Sequence, residues 1–276
     1  MNNYICITCG TQFAKTSRSP DCCPICEDER QYVGHNGQQW TTLSKLKQNY
    51  SNRIDKQEDK LYGIGTEPKF AIGQRALLIQ SDRGNILWDC ISLIDDRTIE
   101  EVNQLGGIAA IAVSHPHYYA SAVEWAKAFS VNVYLHDADR QWVMRRDPSI
   151  KFWQGNTLEL QEDITLIRAG GHFKGGTVCH WASSTNNLGT LLTGDVIQVV
   201  ADKRWVSFMY SYPNFIPLSG AKVKRITNAV EPYPFDRIYG AWWNAIVRSD
   251  AKASVRRSAE RYIKAIEGQG VYGGSD

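Results

Sequence analysis

The sequence predicts an α/β protein preceded by a small four-cysteine segment. Three observations indicate this class: short apolar strands that end on histidine or aspartate, amphipathic helices between those strands, and two Cys-x-x-Cys pairs near the amino end. A chain of 276 residues is long enough for one large hydrophobic core and a small appendage. Its content of 43% hydrophobic and 22% charged residues is ordinary for a soluble globular protein.

Charge and segment composition exclude several classes of partner. The net charge of +2 is too small to indicate nucleic acid as a partner. No stretch approaches the apolar length of a membrane span, and the amino end lacks the basic and apolar regions of a signal peptide. Cysteines in Cys-x-x-Cys pairs suit metal binding in a reducing cytosol better than disulfides. We therefore expect a cytoplasmic protein with no membrane contact. A homodimer stays open.

The four-cysteine segment is expected to span residues 1–35. Its two pairs are separated by thirteen residues, a spacing that predicts a tetrahedral four-thiolate site formed by Cys6, Cys9, Cys23 and Cys26. The segment is too short to hold a core, so metal binding would supply its folding free energy. It resembles a zinc ribbon and also the rubredoxin-like knuckles that hold iron, so zinc or iron is expected here.

The next residues divide into a linker, a large domain and a tail. Residues 36–65 are polar and lysine-rich, with Leu43, Leu46 and Tyr50 at helical spacing, and predict a linker helix. The strand pattern begins near Phe70 and includes a β-hairpin whose turn lies at residues 82–85. We assign residues 66–268 to the large domain and 269–276 to a flexible tail.

The first candidate site follows an apolar run at residues 108–113, the pattern of a strand buried on both faces. The chain then reads Ser114-His115-Pro116-His117. Pro116 disfavours helical backbone at His115, and side chains two apart in an extended segment point the same way. His115 and His117 can therefore share one ion, with an amphipathic helix following. The alternative is a pair of histidines that cap a turn.

Two later segments add possible ligands. His172 lies in the turn Gly170-Gly-His-Phe-Lys-Gly-Gly176, where glycine permits tight backbone and close approach. Asp195 ends another apolar strand. Three imidazoles and a carboxylate at strand ends are a plausible set of zinc ligands. His136, at the end of a further strand, is a candidate for the site edge or a hydrogen-bonded structural histidine. Four aromatic residues within residues 204–214 indicate a pocket lining, a core cover or a dimer contact.

The order of these segments resembles the metallo-β-lactamase-fold hydrolase superfamily, over about residues 72–266. The resemblance implies an αββα four-layer sandwich, with the zinc ribbon as an addition. It implies that His115, His117 and His172 hold the metal and that Asp195 ligates it or orients water. Asp89, after an earlier strand, matches the aspartate that supports the site from behind. The chemistry implied is hydrolysis by metal-activated water.

The sequence departs from the family at the second metal. Tyr119 and Ala120 stand where an aspartate and a histidine are expected, and Ala241, followed by Trp242 and Trp243, stands where the last histidine is expected. We therefore predict one zinc ion in the active site. Tyr119 would then act as a catalytic donor to the developing oxyanion, because a phenol of pKa about 10 is protonated at neutral pH. The two tryptophans are candidates for the site edge.

Three functions remain open at this point. The favoured one is a one-metal hydrolase of a small-molecule ester, thioester or phosphodiester. The alternative is a catalytically degenerate fold that binds a ligand or partner. A third, a module tethered by its ribbon to nucleic acid or protein, depends on the four-cysteine segment alone.

Overall fold

The computed structural model describes residues 1–184 and 187–269, and the chain divides into two compact units, Met1–Gln154 and a second from Gly155 onward. Of the predicted tail at 269–276, all but Gln269 lies outside the described residues. Each unit contains one large β-sheet with its own helices. In the parts of the chain described, no helix is both long and apolar enough to cross a membrane.

The four-cysteine segment forms a three-stranded sheet in the order β2-β1-β3, with both neighbours antiparallel to β1. Its elements are β1 (Asn2–Cys6), β2 (Gln12–Thr16), the short helix α1 (Pro24–Glu27) and β3 (Trp40–Thr42). The ring of Trp40 lies edge-on to that of Phe13 with centroids 4.8 Å apart. Because β3 pairs with β1, the sheet extends beyond residue 35.

The first unit also contains a seven-stranded sheet in the order β10-β9-β8-β7-β6-β5-β4. The strands are β4 (Ser51–Glu58), β5 (Leu61–Glu67), β6 (Arg75–Ile79), β7 (Ile86–Trp88), β8 (Ala110–Ala112), β9 (Asn132–His136) and β10 (Ile150–Trp153). Strands β4 to β7 are antiparallel, including the predicted hairpin β6–β7, and β7 to β10 are parallel. The carboxyl ends of β7, β8 and β9 therefore lie at one edge.

The predicted linker helix over residues 36–65 is wrong for most of its length. Helix is confined to α2 (Leu43–Asn49), and the residues from Ser51 to Glu67 are mostly strand. The physical reason is the position of β4 at the edge of the seven-stranded sheet. An edge strand faces solvent along one side and tolerates charged residues there, so it lacks the apolar pattern of a central strand.

Two further helices and two short 3₁₀ segments complete the first unit. These are α3 (Asp96–Gln104), a 3₁₀ turn (Pro116–Tyr118), α4 (Ala122–Phe129) and a second 3₁₀ segment (Asp137–Trp142). Asp95 caps α3, because its carboxylate accepts from the N–H of Thr98 at 2.8 Å. Helix α4 follows the histidine pair directly, as its apolar spacing predicts.

The second unit has a six-stranded sheet in the order β11-β12-β13-β14-β19-β20 and two two-stranded sheets, β15-β16 and β17-β18. The elements are β11 (Thr157–Gln161), β12 (Ile164–Arg168), β13 (Thr177–Trp181), β14 (Thr190–Gly194), β15 (Gln198–Val199), β16 (Val206–Ser207), β17 (Met209–Ser211), β18 (Ile216–Pro217), α5 (Gly220–Val230), β19 (Arg237–Gly240), β20 (Ile246–Val247) and α6 (Ala251–Ile266). Strands β14 and β19 are parallel, whereas the other neighbours are antiparallel.

Both helices of the second unit pack on one hydrophobic core. Val223, Ile226 and Val230 of α5 and Val255 of α6 belong to the same buried cluster as the strand residues Leu191 and Ile238. Strand β12 is antiparallel to β13, and β13 is antiparallel to β14, so the carboxyl ends of β12 and β14 lie at the same edge.

Candidate metal centre

Asp89 and His115 follow adjacent parallel strands of the first unit, β7 and β8. The N–H of Ser114 donates to Oδ1 of Asp89 at 2.8 Å, and the Ser114 hydroxyl lies 2.9 Å from Nδ1 of His115. When His115 binds a metal through Nε2, its Nδ1–H donates to that hydroxyl. Hydrogen bonds of this kind fix the tautomer and orientation of a ligating histidine.

Asp89 is fully buried, and this burial changes the pKa of its carboxyl group. Desolvation raises the pKa of its carboxyl to about 7, although the hydrogen bonds from Ser114 act in the opposite direction. Its backbone adopts a left-handed conformation with φ +61°. This conformation is uncommon outside glycine, and its cost is offset by the contacts with Ser114. Asp89 is therefore placed to hold the loop after β8 from behind.

The two histidines of that loop have the geometry of neighbouring ligands. The ring centroids of His115 and His117 lie 5.2 Å apart, with an interplanar angle of 75°. Two imidazoles on one tetrahedral ion have centroids about 5 Å apart when their nitrogens lie at about 2.1 Å from it. Burial lowers the pKa of His117 to about 3, with a smaller contribution from Arg30, so the ring is neutral at pH 7. Neutral imidazole is the form that binds metal.

The second unit contains the other two candidate ligands after β12 and β14, whose carboxyl ends lie at the same edge of the sheet. His172 follows Gly170 and Gly171, which have φ of +78° and +104°, and Asp195 follows Gly194, with φ +55°. Glycine adopts such angles readily because it has no Cβ atom to clash with the backbone. Nε2 of His172 lies 3.7 Å from Oδ1 of Asp195. This distance is too long for a hydrogen bond but close to the separation of about 3.4 Å expected of two ligands on one tetrahedral ion.

Close backbone approach explains the glycines around His172. The N–H of Gly170 donates to the carbonyl of Gly176 at 2.8 Å, and the N–H of Ala169 donates to the same carbonyl at 2.9 Å. A Cβ atom on Gly176 would lie 2.0 Å from the oxygen of Gly170. No side chain fits there, so the turn that carries His172 depends on glycine at this position.

Tyr212 is a site residue that the sequence did not identify. Its hydroxyl donates to the main-chain oxygen of Asp195 at 2.9 Å, and its ring lies perpendicular to that of His172 at 6.3 Å. The aromatic run at residues 204–214 was a signal for a pocket or a core cover, but it did not distinguish one aromatic from another. Phe208, in the same run, is buried in the hydrophobic core of the second unit.

The four predicted ligands suit a zinc ion by their chemistry. The first unit offers two imidazoles, His115 and His117, and the second offers an imidazole and a carboxylate, His172 and Asp195. All four side chains are buried, and both kinds of group are ligands that zinc takes in proteins. When present, such an ion supplies Lewis-acid chemistry and a nucleophile at neutral pH. The groups of this chain orient the ligands, through Ser114 in the first unit and Tyr212 in the second.

The four cysteines form a second group that is able to bind a metal. Their sulfurs lie within 4.8 Å of one another, and the Cys6–Cys26 and Cys9–Cys23 pairs are 3.6 and 3.7 Å apart. Sulfurs at 2.3 Å from a tetrahedral zinc ion are about 3.8 Å apart, so the distances fit. Contacts with the other three thiols, that with Cys23 first, lower the pKa of Cys6 far below its usual value. Cys22, beside the second pair, is exposed.

Tyr119 and Ala120 both line a cavity of about 30 Å³ in the first unit, together with Thr11 and Gln12 of the four-cysteine segment. Burial raises the pKa of Tyr119 well above its usual value, and the charge of Asp139 adds to the effect, so the phenol is neutral. The role of Tyr119 as an oxyanion donor stays a prediction.

The remaining candidates lie at strand ends. His136, at the end of β9, accepts from the N–H of Ala138 at 3.1 Å, and its ring packs against Trp153. The N–H of Ala241, after β19, donates to the carbonyl of Gly194 at 3.0 Å, which places its methyl group beside the loop of Asp195. Trp242 packs against the core of the second unit, and Trp243 is half-buried. A place for His136, Trp242 and Trp243 at the site edge stays a prediction.

The chain is similar in structure to solved metallo-β-lactamases. It matches DIM-1 with a TM-score of 0.59 at 15% identity and VMB-1 at pH 5.5 with a TM-score of 0.58 at 15% identity; each match covers 78% of this chain and 98% of the other. MEM-A1, a subclass B3 metallo-β-lactamase isolated from a soil metagenome library, matches with a TM-score of 0.51 at 16% identity, covering 76% and 95%. These matches define a metallo-β-lactamase fold, and they confirm the predicted fold class.

Sequence comparison identifies the family. The chain is 52% identical over 271 residues to the "Uncharacterized protein YmaE" of Bacillus subtilis (strain 168), and the match covers 98% of both chains. The chain therefore belongs to the same family as YmaE. No protein-family model matches it.

Proposed function

We propose that this protein is a metal-dependent hydrolase that uses one zinc ion, held jointly by the His115–His117 pair and the His172–Asp195 pair. The observation that carries the proposal is the donor set, three buried imidazoles and a buried carboxylate at strand ends of a metallo-β-lactamase fold. One ligand of each pair is bonded to a second residue of the chain, His115 to Ser114 and Asp195 to Tyr212, which agrees with a working metal site.

The proposed substrate is a small molecule with an ester, thioester or phosphodiester bond. A bound ion would supply an activated water and Lewis-acid polarisation of the oxygen under attack. Asp195 ligates the ion or orients the water, and Tyr119 donates a hydrogen bond to the developing negative charge. The neutral state of the Tyr119 phenol supports this last role, because only the protonated form can donate.

The residues that stand where the family has its second-ion ligands support the one-metal form of the proposal. Tyr119 and Ala120 line the cavity shared with Thr11 and Gln12, and Ala241 offers only a methyl group. The same observation favours a second candidate, a degenerate metallo-β-lactamase fold that binds a ligand or partner and catalyses no reaction.

Metal content distinguishes the two candidates. Elemental analysis of the purified protein is expected to give about two ions per chain, one at the cysteines and one at the histidines. His115→Ala and His172→Ala should each remove one ion and all hydrolysis of an ester, thioester and phosphodiester panel, with the circular dichroism spectrum unchanged. Gln154→Ala, a change of an exposed residue, is the control. One ion per chain that is lost only when the cysteines are replaced would favour the degenerate fold.

A further inference from the structure

The four-cysteine segment touches the loop that follows Asp89. Within the first cysteine pair, the N–H of Gly10 donates to the carbonyl of Cys6 at 2.9 Å, and the N–H of Cys6 donates to the carbonyl of Thr11 at 3.0 Å. These bonds make a tight knuckle that turns the carbonyl of Gly10 outward. The hydroxyl of Ser92 donates to that carbonyl at 2.7 Å. Ser92 lies three residues after Asp89, so the knuckle is fixed to the support of the histidine loop.

The same knuckle is bonded to the end of the histidine loop. The N–H of Gln12 donates to the carbonyl of Ala120 at 3.0 Å, and Ala120 lies three residues after His117. Ala120 has a left-handed backbone with φ +43°. A non-glycine residue in this region is strained and persists only where its surroundings hold it there. The bond from Gln12 is therefore a direct constraint on the loop that carries His115 and His117.

Side chains reinforce this contact. Nη1 of Arg145 donates to Oε1 of Glu124 at 2.5 Å and also to the side-chain oxygen of Gln12. The side-chain amide of Gln12 donates to the same carboxylate oxygen at 3.3 Å. Arg145 and Glu124 are 12% and 26% exposed, so the network is largely shielded from water. Glu124 lies in the first turn of α4, directly after the histidine loop.

The knuckle also shares a core with the rest of the first unit. The buried cysteines pack with Phe13 and Ile25, and Ile72, Trp142 and Met144 pack against this cluster. The N–H of Ala14 in β2 donates to the carbonyl of Met144 at 3.2 Å. The four-cysteine segment is therefore hydrogen-bonded to the first unit at Ser92, at Ala120 and at Met144. It is not an isolated appendage.

From these contacts we infer that the four-cysteine segment, when it holds its own metal, positions the His115–His117 loop, so that filling the cysteine site raises the metal affinity of the histidine site. The inference rests on the proposed function. A four-thiolate site is ordered by its metal. Without that metal, the carbonyl of Gly10 and the N–H of Gln12 lose their fixed positions. The histidine loop must then become ordered when it binds an ion, and this ordering lowers the affinity for the ion.

Cobalt titration tests the coupling, because thiolate-bound cobalt gives an intense charge-transfer absorption that histidine- and carboxylate-bound cobalt lacks. Ser92→Ala and Arg145→Gln each break one link between the knuckle and the loop without touching a ligand. Both should leave the charge-transfer titration unchanged and weaken cobalt binding at the histidine site by about tenfold, the lower range for loss of a residue that supports a ligand.

Matched changes elsewhere provide the controls. Ser258→Ala also removes a buried hydroxyl that bonds to a main-chain group, since Ser258 accepts from the N–H of Val206 at 3.0 Å in the second unit. Arg97→Gln also breaks an arginine–glutamate pair, on the exposed face of α3. Neither control should change cobalt affinity at the histidines. Equal affinity in Ser92→Ala, Arg145→Gln and the two controls overturns the inference.

A cysteine variant tests the coupling from the other side. Cys9→Ser should remove the charge-transfer absorption and weaken the remaining cobalt site at least as much as Ser92→Ala does. An unchanged histidine site in a folded Cys9→Ser protein also overturns the inference; if that variant fails to fold, the two link variants decide. The proposed function fails separately, when the wild-type protein shows no cobalt absorption that His115→Ala abolishes, and the coupling fails with it.

Discussion

Asp89 and Ser114 are joined by a hydrogen bond of 2.8 Å from the Ser114 N–H to the buried carboxylate, which links the ends of the parallel strands β7 and β8. Tyr212 makes the corresponding contact in the second unit, where its hydroxyl donates a hydrogen bond to the carbonyl of Asp195. Each pair of candidate ligands is therefore held by a residue that offers no ligand itself. The first two predictions concern these residues.

Asp89→Asn should change how stability depends on pH. Burial raises the pKa of Asp89 to about 7 in the folded protein from its ordinary value of 3.8. The folded state then binds the proton more tightly than the unfolded state, so this stabilisation is complete below about pH 4 and is lost as the pH rises through 7. The loss is on the order of 4 kcal/mol. The asparagine variant, which cannot ionise, should gain stability relative to wild type by that order between pH 4 and 8.

Urea unfolding at pH 5 and pH 8 measures the effect of Asp89→Asn. The comparison is best made in a His172→Ala background, where an ion at the histidines cannot alter the charge of Asp89. Asp96→Asn, a fully exposed change at the start of α3, should give the same difference from wild type at both pH values. An Asp89→Asn difference that is also independent of pH would mean that this carboxylate is already ionised at pH 5.

Tyr212→Phe removes the hydrogen bond to the carbonyl of Asp195. We expect a loss of about 1 kcal/mol of stability, the usual net contribution of such a bond. We also expect weaker metal binding at the histidine site, because the Asp195 loop loses a constraint. Isothermal titration with zinc and urea unfolding measure the two effects. Tyr262→Phe is the control, since Tyr262 also donates to a carbonyl, that of Leu218, at 3.2 Å. It should lower stability alone; equal zinc affinity in both variants would contradict a positioning role for Tyr212.

The histidine and aspartate positions could be predicted because their signals are local. A strand ends, a glycine or proline bends the chain, and a ligand follows within a few residues, as at Gly194–Asp195 and Pro116–His117. The αβ pattern of the large sheets is local as well. The metallo-β-lactamase resemblance depended on the order of these short segments, and the fold comparison confirms it.

The features that sequence reasoning missed depend on distant contacts. The polar sequence of β4 predicts helix, whereas its charged residues reflect its place at the sheet edge, which no local pattern reveals. The contact between Gln12 and Ala120 joins residues far apart in sequence, so no local pattern in the four-cysteine segment predicts it. Tyr212 is one aromatic residue among several, and only its bond to Asp195 distinguishes it.

Gly176→Ala should disrupt the turn that carries His172. A Cβ at Gly176 would lie 2.0 Å from the carbonyl oxygen of Gly170, and backbone cannot move aside as a flexible side chain can. We expect a loss of about 3 kcal/mol or more, together with loss of the histidine-site ion. Gly220→Ala is the control, because the nearest atom there belongs to the Glu267 side chain at 3.3 Å. Thermal unfolding and zinc content measure the outcome. Comparable stability of the two variants would show that the backbone of the turn can move to accommodate the added methyl group.

The last prediction concerns the number of ions at the histidines. The family pattern needs further ligands for a second ion, and here Tyr119 and Ala120 line a cavity with Thr11 and Gln12 instead. Ala241 contributes a methyl group, which cannot coordinate zinc. Crystals grown with zinc or manganese should therefore show one anomalous peak near His115 and Asp195. A peak at the cysteines is the internal control for metal loading. Two peaks about 3.5–4 Å apart, the spacing of two-metal sites, would contradict the one-metal prediction and favour a dinuclear site.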